Sequence, residues 1–407
     1  MLDVVAIGRS SVDLYGQQIG GRLEDMASFA KAVGGSPTNI AIGCARLGLR
    51  AGLITRVGDE QMGRFICEQL VREGVDIRGV KTDAERLTAL VMLGVRNDHD
   101  FPHIFFRENC ADMAISEDDI DQELIGGTKA VLISGTHLSQ PSTHAACMKA
   151  VSLAKDKGAR IILDIDYRPN LWGLAGHEHG ALRFMESPEV TAMLGDLLPL
   201  CDLVVGTEEE FHIAGGSTET PTALRAVREL SQAALVCKRG PTGCAVFDKE
   251  IPESLTHGRT AAGFPVEVYN TLGAGDAFMA GLLRGWLRGE QWETSLRWAN
   301  ACGAIAVSRL LCSPEYPTWR ELKTFLNMEI RNPRLREDRK LAHVHRVTTR
   351  RTEQSELMAL AIDHRKQLIE LCQAVGADMS ALERFKLLVT EVAARVAAGQ
   401  KGFGILC

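Results

Sequence analysis

No C-x-x-C pair occurs among the eleven cysteines of this 407-residue chain. Their odd number and scatter fit neither a disulfide framework nor a zinc site, so a reducing cytoplasm is the expected compartment. A cationic excess is also lacking: 46 Lys and Arg against 52 Asp and Glu leave a formal charge of -6. Nothing here draws in a polyanionic backbone, and no nucleic-acid partner is expected. No uninterrupted apolar run approaches the roughly 20 residues of a membrane span. The start, Met1 to Gly8, carries Asp3 where a signal peptide needs basic residues, and its apolar run is too short. A soluble chain without a membrane partner is expected. Neither a P-loop G-x-x-x-x-G-K-[ST] nor a strand-linked G-x-G-x-x-G is present, which argues against P-loop ATPases and dinucleotide enzymes. Only 13 prolines accompany 39 glycines, 45% hydrophobic and 24% charged residues, and that composition excludes collagen, mucin and coiled-coil architectures.

What is present is a rhythm. Short β-rich runs recur at Val4 to Gly8, Ala51 to Val57, Ala130 to Ser134, Arg160 to Asp164, Leu203 to Gly206 and Ala234 to Cys237. Between them lie apolar residues at helical spacing, such as Ile40, Cys44 and Leu47. This βαβ grammar predicts a doubly wound α/β sheet. Two regions break it. Leu14 to Gly21 is one, and in the other Thr88 to Val95 and His103 to Arg107 flank a polar turn at Asn97 to Asp100, which predicts a small antiparallel flap.

The most specific segment is Asn270-Thr271-Leu272-Gly273-Ala274-Gly275-Asp276-Ala277-Phe278. Gly273 and Gly275 allow a turn whose N–H groups share one concavity, and a following helix would add its positive end to make an anion hole. Asp276 then stands beside that anion as a base for an attacking hydroxyl, or serves only as a helix cap. A second glycine pair, Gly34-Gly35, leads into another helix, with Asn39 one turn on. The glycines admit a polyhydroxylated ligand to the backbone, and Asn39 offers a donor and an acceptor. Asp13, after the first strand, adds an acceptor for hydroxyls.

In order, Gly34 to Asp59, with Arg46-Leu47-Gly48 and Val57-Gly58-Asp59, and Asn270 to Gly281 resemble the two signatures of the ribokinase-like (PfkB) sugar kinases. The resemblance implies a kinase domain over residues 1–327, a mostly parallel sheet with a small β lid at about 11–22 and 86–108. It implies Asp276 as catalytic base, Gly273, Ala274 and Gly275 as anion hole, and Asp13, Gly34, Gly35 and Asn39 on the substrate side. Lys238, Gly240 and Gly243 fall in the adenine nucleotide loop, and Asn300 matches a later nucleotide contact. ATP and Mg2+ are the expected cofactors. Glu209, in Gly206-Thr207-Glu208-Glu209, keeps the acid of a motif whose amide is lost, and can orient Mg2+ through water or act as a plain helix N-terminal acid. Asn270 replaces the usual Asp of a loop associated with a monovalent cation such as K+. A homodimer joined through the lid is expected, since the flap leaves a strand edge to pair.

Phe106 to Asp112, Asp164 to Trp172 and Gly206 to Glu210 resemble the branch of this family that phosphorylates the sugar acid 5-dehydro-2-deoxygluconate in inositol catabolism; related acid-sugar kinases, ribokinases and fructokinases stay as alternatives, and so does a silent sugar-binding regulator. Arg168 supplies a physical reason, because a guanidinium at a strand end can clamp a carboxylate, or it bridges Asp164 or Asp166. Arg107 could reach the ligand from the flap or remain solvated.

Residues 328–351 crowd eight basic side chains from Arg331 to Arg351 and read as a linker, or as the charged end of a helix. Beyond it, Leu357 to Ile362 is a strand candidate and Ala381 to Ala398 a helix candidate leading into Gly402 to Cys407; Met358 to Arg365, with Phe385-Lys386 and Gly404-Ile405-Leu406, resembles the start of a class I aldolase-like (DUF2090) β/α domain. About 55 residues cannot close a barrel of roughly 250. The Schiff-base lysine implied by that resemblance would lie beyond Cys407, Lys386 reads as a helix-surface residue, and no aldolase activity is expected.

Overall fold

The computed structural model of the protein describes residues 1–97, 100–349, 356–398, 400 and 402–406; Asp98, His99, Arg350, Arg351 and Cys407 of the expectations above lie outside them. Two units result, Met1–Thr349 and Arg350–Cys407.

In the first unit, the six anticipated runs all become strands of one nine-stranded sheet among the described residues. Across it the order is Arg259–Ala261, Cys244–Phe247, Ala234–Lys238, Leu203–Thr207, Arg160–Asp164, Ala130–Ser134, Val4–Ile7, Ala51–Gly58 and Asp76–Asp83. The central pairs are parallel and the first two strands antiparallel. Val4 and Ala6 face a core built on the helices Ser36–Arg46, Ala274–Trp286 and Trp292–Val307, while Val5 and Ile7 face a second core under Pro141–Asp156 and Pro188–Leu197. Burial on both faces is why these strands read as unbroken apolar runs.

A separate four-stranded sheet forms the lid, in the order Phe29–Gly34, Ser11–Gly16, Ala89–Leu93, His103–Phe106. The flap hairpin pairs Leu90 with Phe106 and Leu93 with His103 as expected. Phe29–Gly34 was not anticipated; it pairs antiparallel with Ser11–Gly16 and carries the chain into the helix at Ser36.

The expected linker is corrected through Thr349. Arg339–Thr349 is a helix whose Leu341 and Val344 are buried, and its His345 hydrogen-bonds the buried Glu321, which also pairs with Arg309. Two apolar contacts and one buried acid therefore tie this basic stretch to the first unit.

In the second unit, Met358–Ala361 pairs parallel with Phe403–Leu406, and the helices Arg365–Ala374 and Met379–Val396 lie between them in sequence. Lys386 sits on the latter helix. No helix among the described residues is long and apolar enough to cross a membrane.

Candidate active site

A cavity of about 1140 Å³ opens where the parallel strands end and the lid begins. Parallel α/β sheets bind ligands at that edge, since the strand-to-helix loops converge there. Asp164, Thr207 and Lys238 are the last residues of three neighbouring strands and all line it.

Asp276 occupies the first turn of the helix Ala274–Trp286, behind Gly273, whose φ of 74° is left-handed. A Cβ on Gly273 would collide with Cys312 Sγ and the Tyr316 hydroxyl, so only glycine fits. The Tyr316 hydroxyl donates to the Gly273 carbonyl at 2.6 Å and holds the turn from below. Burial, then the Asp166 charge, pushes the Asp276 carboxyl up to about 6, against hydrogen bonds from Asn39 and Ser36. Asn39 Nδ2 donates to Asp276 Oδ2 at 2.9 Å, and Asn39 Oδ1 is buried without a partner among the described residues. The structure thus brings the two sequence signatures together at one carboxylate.

Asp13 lies on the lid strand Ser11–Gly16, and burial raises it also to about 6. Its carboxylate occupies the space that a side chain on Gly34 would need. Gly35, with φ 94°, starts the helix that carries Asn39.

Lys238 is placed differently from the adenine loop expected for it. Its Nζ lies 3.4 Å from both Asp164 and Glu210 and would stand 3.5 Å from a Cβ on Gly275, beside the turn that starts the helix of Asp276. Burial opposes its charge, but the two carboxylates outweigh that and raise its pKa. Gly240 and Gly243, both at positive φ, line the cavity beyond it. Asn300 also lines the cavity, yet its Nδ2 donates to the carbonyls of Ala261 and Ala262 at 2.9 and 3.0 Å, fastening that wall.

Glu209 is exposed in the cavity with no ion pair among the described residues, whereas Glu210 turns inward to cap Thr207 and hold Lys238. An exposed carboxylate lining this cavity suits a Mg2+ ion that keeps its water shell. Asn270 is buried; its Nδ2 donates to the Leu310 carbonyl at 2.7 Å and its Oδ1 accepts from the Leu272 amide at 3.0 Å.

Asp166 pairs with Arg9 and accepts from Ser134 Oγ at 2.7 Å, which holds a non-glycine residue at φ 39°. Asp164 is taken by Lys238. Among the described residues Arg168 therefore bridges neither acid; it lines the cavity, and its one hydrogen bond there goes to the Tyr167 carbonyl, at 3.2 Å. Arg107 lines the cavity too, but its charge is committed to Asp112 at 2.6 Å, so it is neither solvated nor free. Sequence reasoning missed Arg9, the Tyr316 prop and a further arginine, Arg183, none of which lies in a recognisable motif, and it missed the role of Asp164 and Glu210 around Lys238, although both lie in segments that carry the resemblance.

The family model for pfkB carbohydrate kinases matches residues 1–319. The chain belongs to that family. A second model, for uncharacterised proteins conserved in bacteria (DUF2090), matches residues 321–407. The kinase is 33% identical over 333 residues to the 5-dehydro-2-deoxygluconokinase of Geobacillus kaustophilus, covering 80% of this chain and 93% of the relative. A putative ribokinase II from E. coli, solved with ATP and Mg2+, shares the fold with a TM-score of 0.70 at 24% identity, over 80% of this chain and 99% of that one. A fructokinase double mutant from Vibrio cholerae O395, solved with fructose, ADP and a potassium ion, gives a TM-score of 0.66 at 25% identity over 80% and 99%. The ribokinase-like sheet expected from the sequence is the fold of this sugar kinase.

Proposed function

We propose that this kinase transfers the γ-phosphoryl group of ATP to the terminal hydroxyl of 5-dehydro-2-deoxy-D-gluconate. The observation that carries the reading is the cluster of Asp276, Gly273 to Gly275 and Lys238 in one cleft with Arg168, a guanidinium with no ion pair among the described residues. Relatives named 5-dehydro-2-deoxygluconokinase support the acid over a neutral sugar.

Asp276, ionised above about pH 6 and oriented by Asn39, takes the proton as the substrate oxygen attacks. The N–H groups of the Gly273 turn, the helix end and the Lys238 ammonium face the phosphoryl oxygens, where charge is greatest. Asp13 accepts from sugar hydroxyls. Gly240 and Gly243 flank the nucleotide, with Asn300 fixing the opposite wall. Mg2+ bound near Glu209 supplies charge neutralisation to the phosphates. Asn270 offers a neutral amide already hydrogen-bonded on both of its polar atoms, so a K+ at its loop would find no carboxylate charge there.

Arg168 binds the substrate carboxylate with its planar fork. The lid strand His103–Phe106 is the last of its sheet, with Phe106 51% exposed, and it supports pairing of two lids in a homodimer. The ten described cysteines are free thiols, which suits the reducing cytoplasm. An ADP-release assay with this acid, 2-dehydro-3-deoxygluconate, ribose and fructose tests the reading. Turnover led by the first acid is expected; a preference for a neutral sugar refutes the carboxylate assignment.

A further inference from the structure

Arg183 lies in the irregular stretch before the helix Pro188–Leu197 and lines the same cavity as Arg168. The cationic groups of that cavity can be accounted for one by one. Arg9 is neutralised by Asp166, Arg107 by Asp112, Lys238 by Asp164 and Glu210, and Arg336 by Glu267. Arg168 and Arg183 remain, and neither has an ion pair among the described residues. The Arg168 charge, then burial, pulls the Arg183 guanidinium down to about 9, although Glu210, Asp166 and Glu209 oppose that. Two guanidinium groups that line one cavity, neither with an ion pair among the described residues, leave donors free for an anion.

The lid locates that anion. His103, on the lid strand His103–Phe106, feels both arginines, and burial holds its ring neutral, with a pKa of about 4. A Cβ on Gly180 would collide with the His103 carbonyl oxygen, so the backbone leading to Arg183 lies flat against the lid. That contact puts the loop of Arg183 on the lid, the sheet that also carries Asp13, which favours the sugar side of the cleft for the pair. The phosphoryl side has its own cation in Lys238.

We propose that Arg183 is a specificity residue that joins Arg168 in a two-armed site for the carboxylate of a sugar-acid substrate. This rests on the sugar-acid reading above and adds the second arm. One guanidinium can bind a carboxylate edge-on in bidentate fashion, and a second from the loop on the lid can take the remaining lone pairs, a demand that a neutral sugar does not satisfy.

The test is calorimetric titration of the full chain with 5-dehydro-2-deoxy-D-gluconate, with its neutral primary amide, and with MgADP. Arg183→Gln should weaken the acid at least tenfold and leave the amide and MgADP within twofold. Arg183→Lys, which keeps the charge and safeguards against a folding defect in the first variant, should fall between. Unchanged acid binding in Arg183→Gln, with wild-type turnover of the acid intact, overturns the second arm and leaves the substrate reading standing. Loss of MgADP affinity in place of acid affinity also overturns it, by moving Arg183 to the phosphates. Failure of the wild type to bind the acid removes the substrate reading and this site together.

Discussion

Asn39 and Asp276, 237 residues apart in sequence, are joined by a hydrogen bond of 2.9 Å from the amide to the buried carboxylate. That bond is one of the few influences that lower a carboxyl otherwise raised by burial and by Asp166. Asn39→Ala removes it, so the pKa of Asp276 should rise above about 6 and the acid limb of kcat/KM should move to higher pH. A pH profile between 5 and 9 reads the shift directly. A limb that stays put, or moves down, separates Asn39 from the base.

Asp276→Asn keeps the shape of the turn and removes the proton acceptor. Turnover should fall by roughly 10²–10⁴, while MgATP still binds because the Gly273 turn and Lys238 are untouched. Rapid-quench turnover beside equilibrium nucleotide binding separates the two effects. Wild-type turnover in this variant takes Asp276 out of the chemistry.

Lys238 neutralises Asp164 and Glu210 and faces Gly275. Lys238→Met leaves two buried carboxylates without their cation and the anion hole without its ammonium. A loss of about 10²–10³ in kcat is expected, as for a removed oxyanion donor, with partial rescue by Lys238→Arg. If Lys238→Met instead weakens only adenine-dependent binding and leaves kcat alone, the residue belongs to the adenine loop and not to the phosphates.

The sheet was legible because each central strand is buried on both faces and so appears as an unbroken apolar run, as in Val4–Ile7. Asp76–Asp83, Cys244–Phe247 and Phe29–Gly34 were not: the first two lie at or near an edge, the last in the lid, and two of the three are half exposed, with no such run. Asp276, Asn39 and the glycines were legible because a tight turn permits few residue types. Arg183 was invisible, since its role comes from a loop folded against the lid and not from spacing. The basic stretch misled for a related reason: its charges outnumber the two side chains, Leu341 and Val344, that dock it.

Leu341 is fully buried against the first unit. Leu341→Ala should destabilise that unit by about 2–5 kcal/mol, the usual cost of such a cavity. Urea unfolding followed by tryptophan fluorescence measures it. A change under about 0.5 kcal/mol, typical of a surface site, would restore the linker.

Identification of the product bears most directly on the whole proposal. The full chain, MgATP and 5-dehydro-2-deoxy-D-gluconate should yield ADP and one new phosphomonoester, placed by phosphorus–carbon coupling in NMR on the terminal carbon, with the carboxylate intact and kcat/KM above that for ribose or fructose. No phosphoester from the acid, or a neutral sugar phosphorylated with the higher kcat/KM, would contradict it.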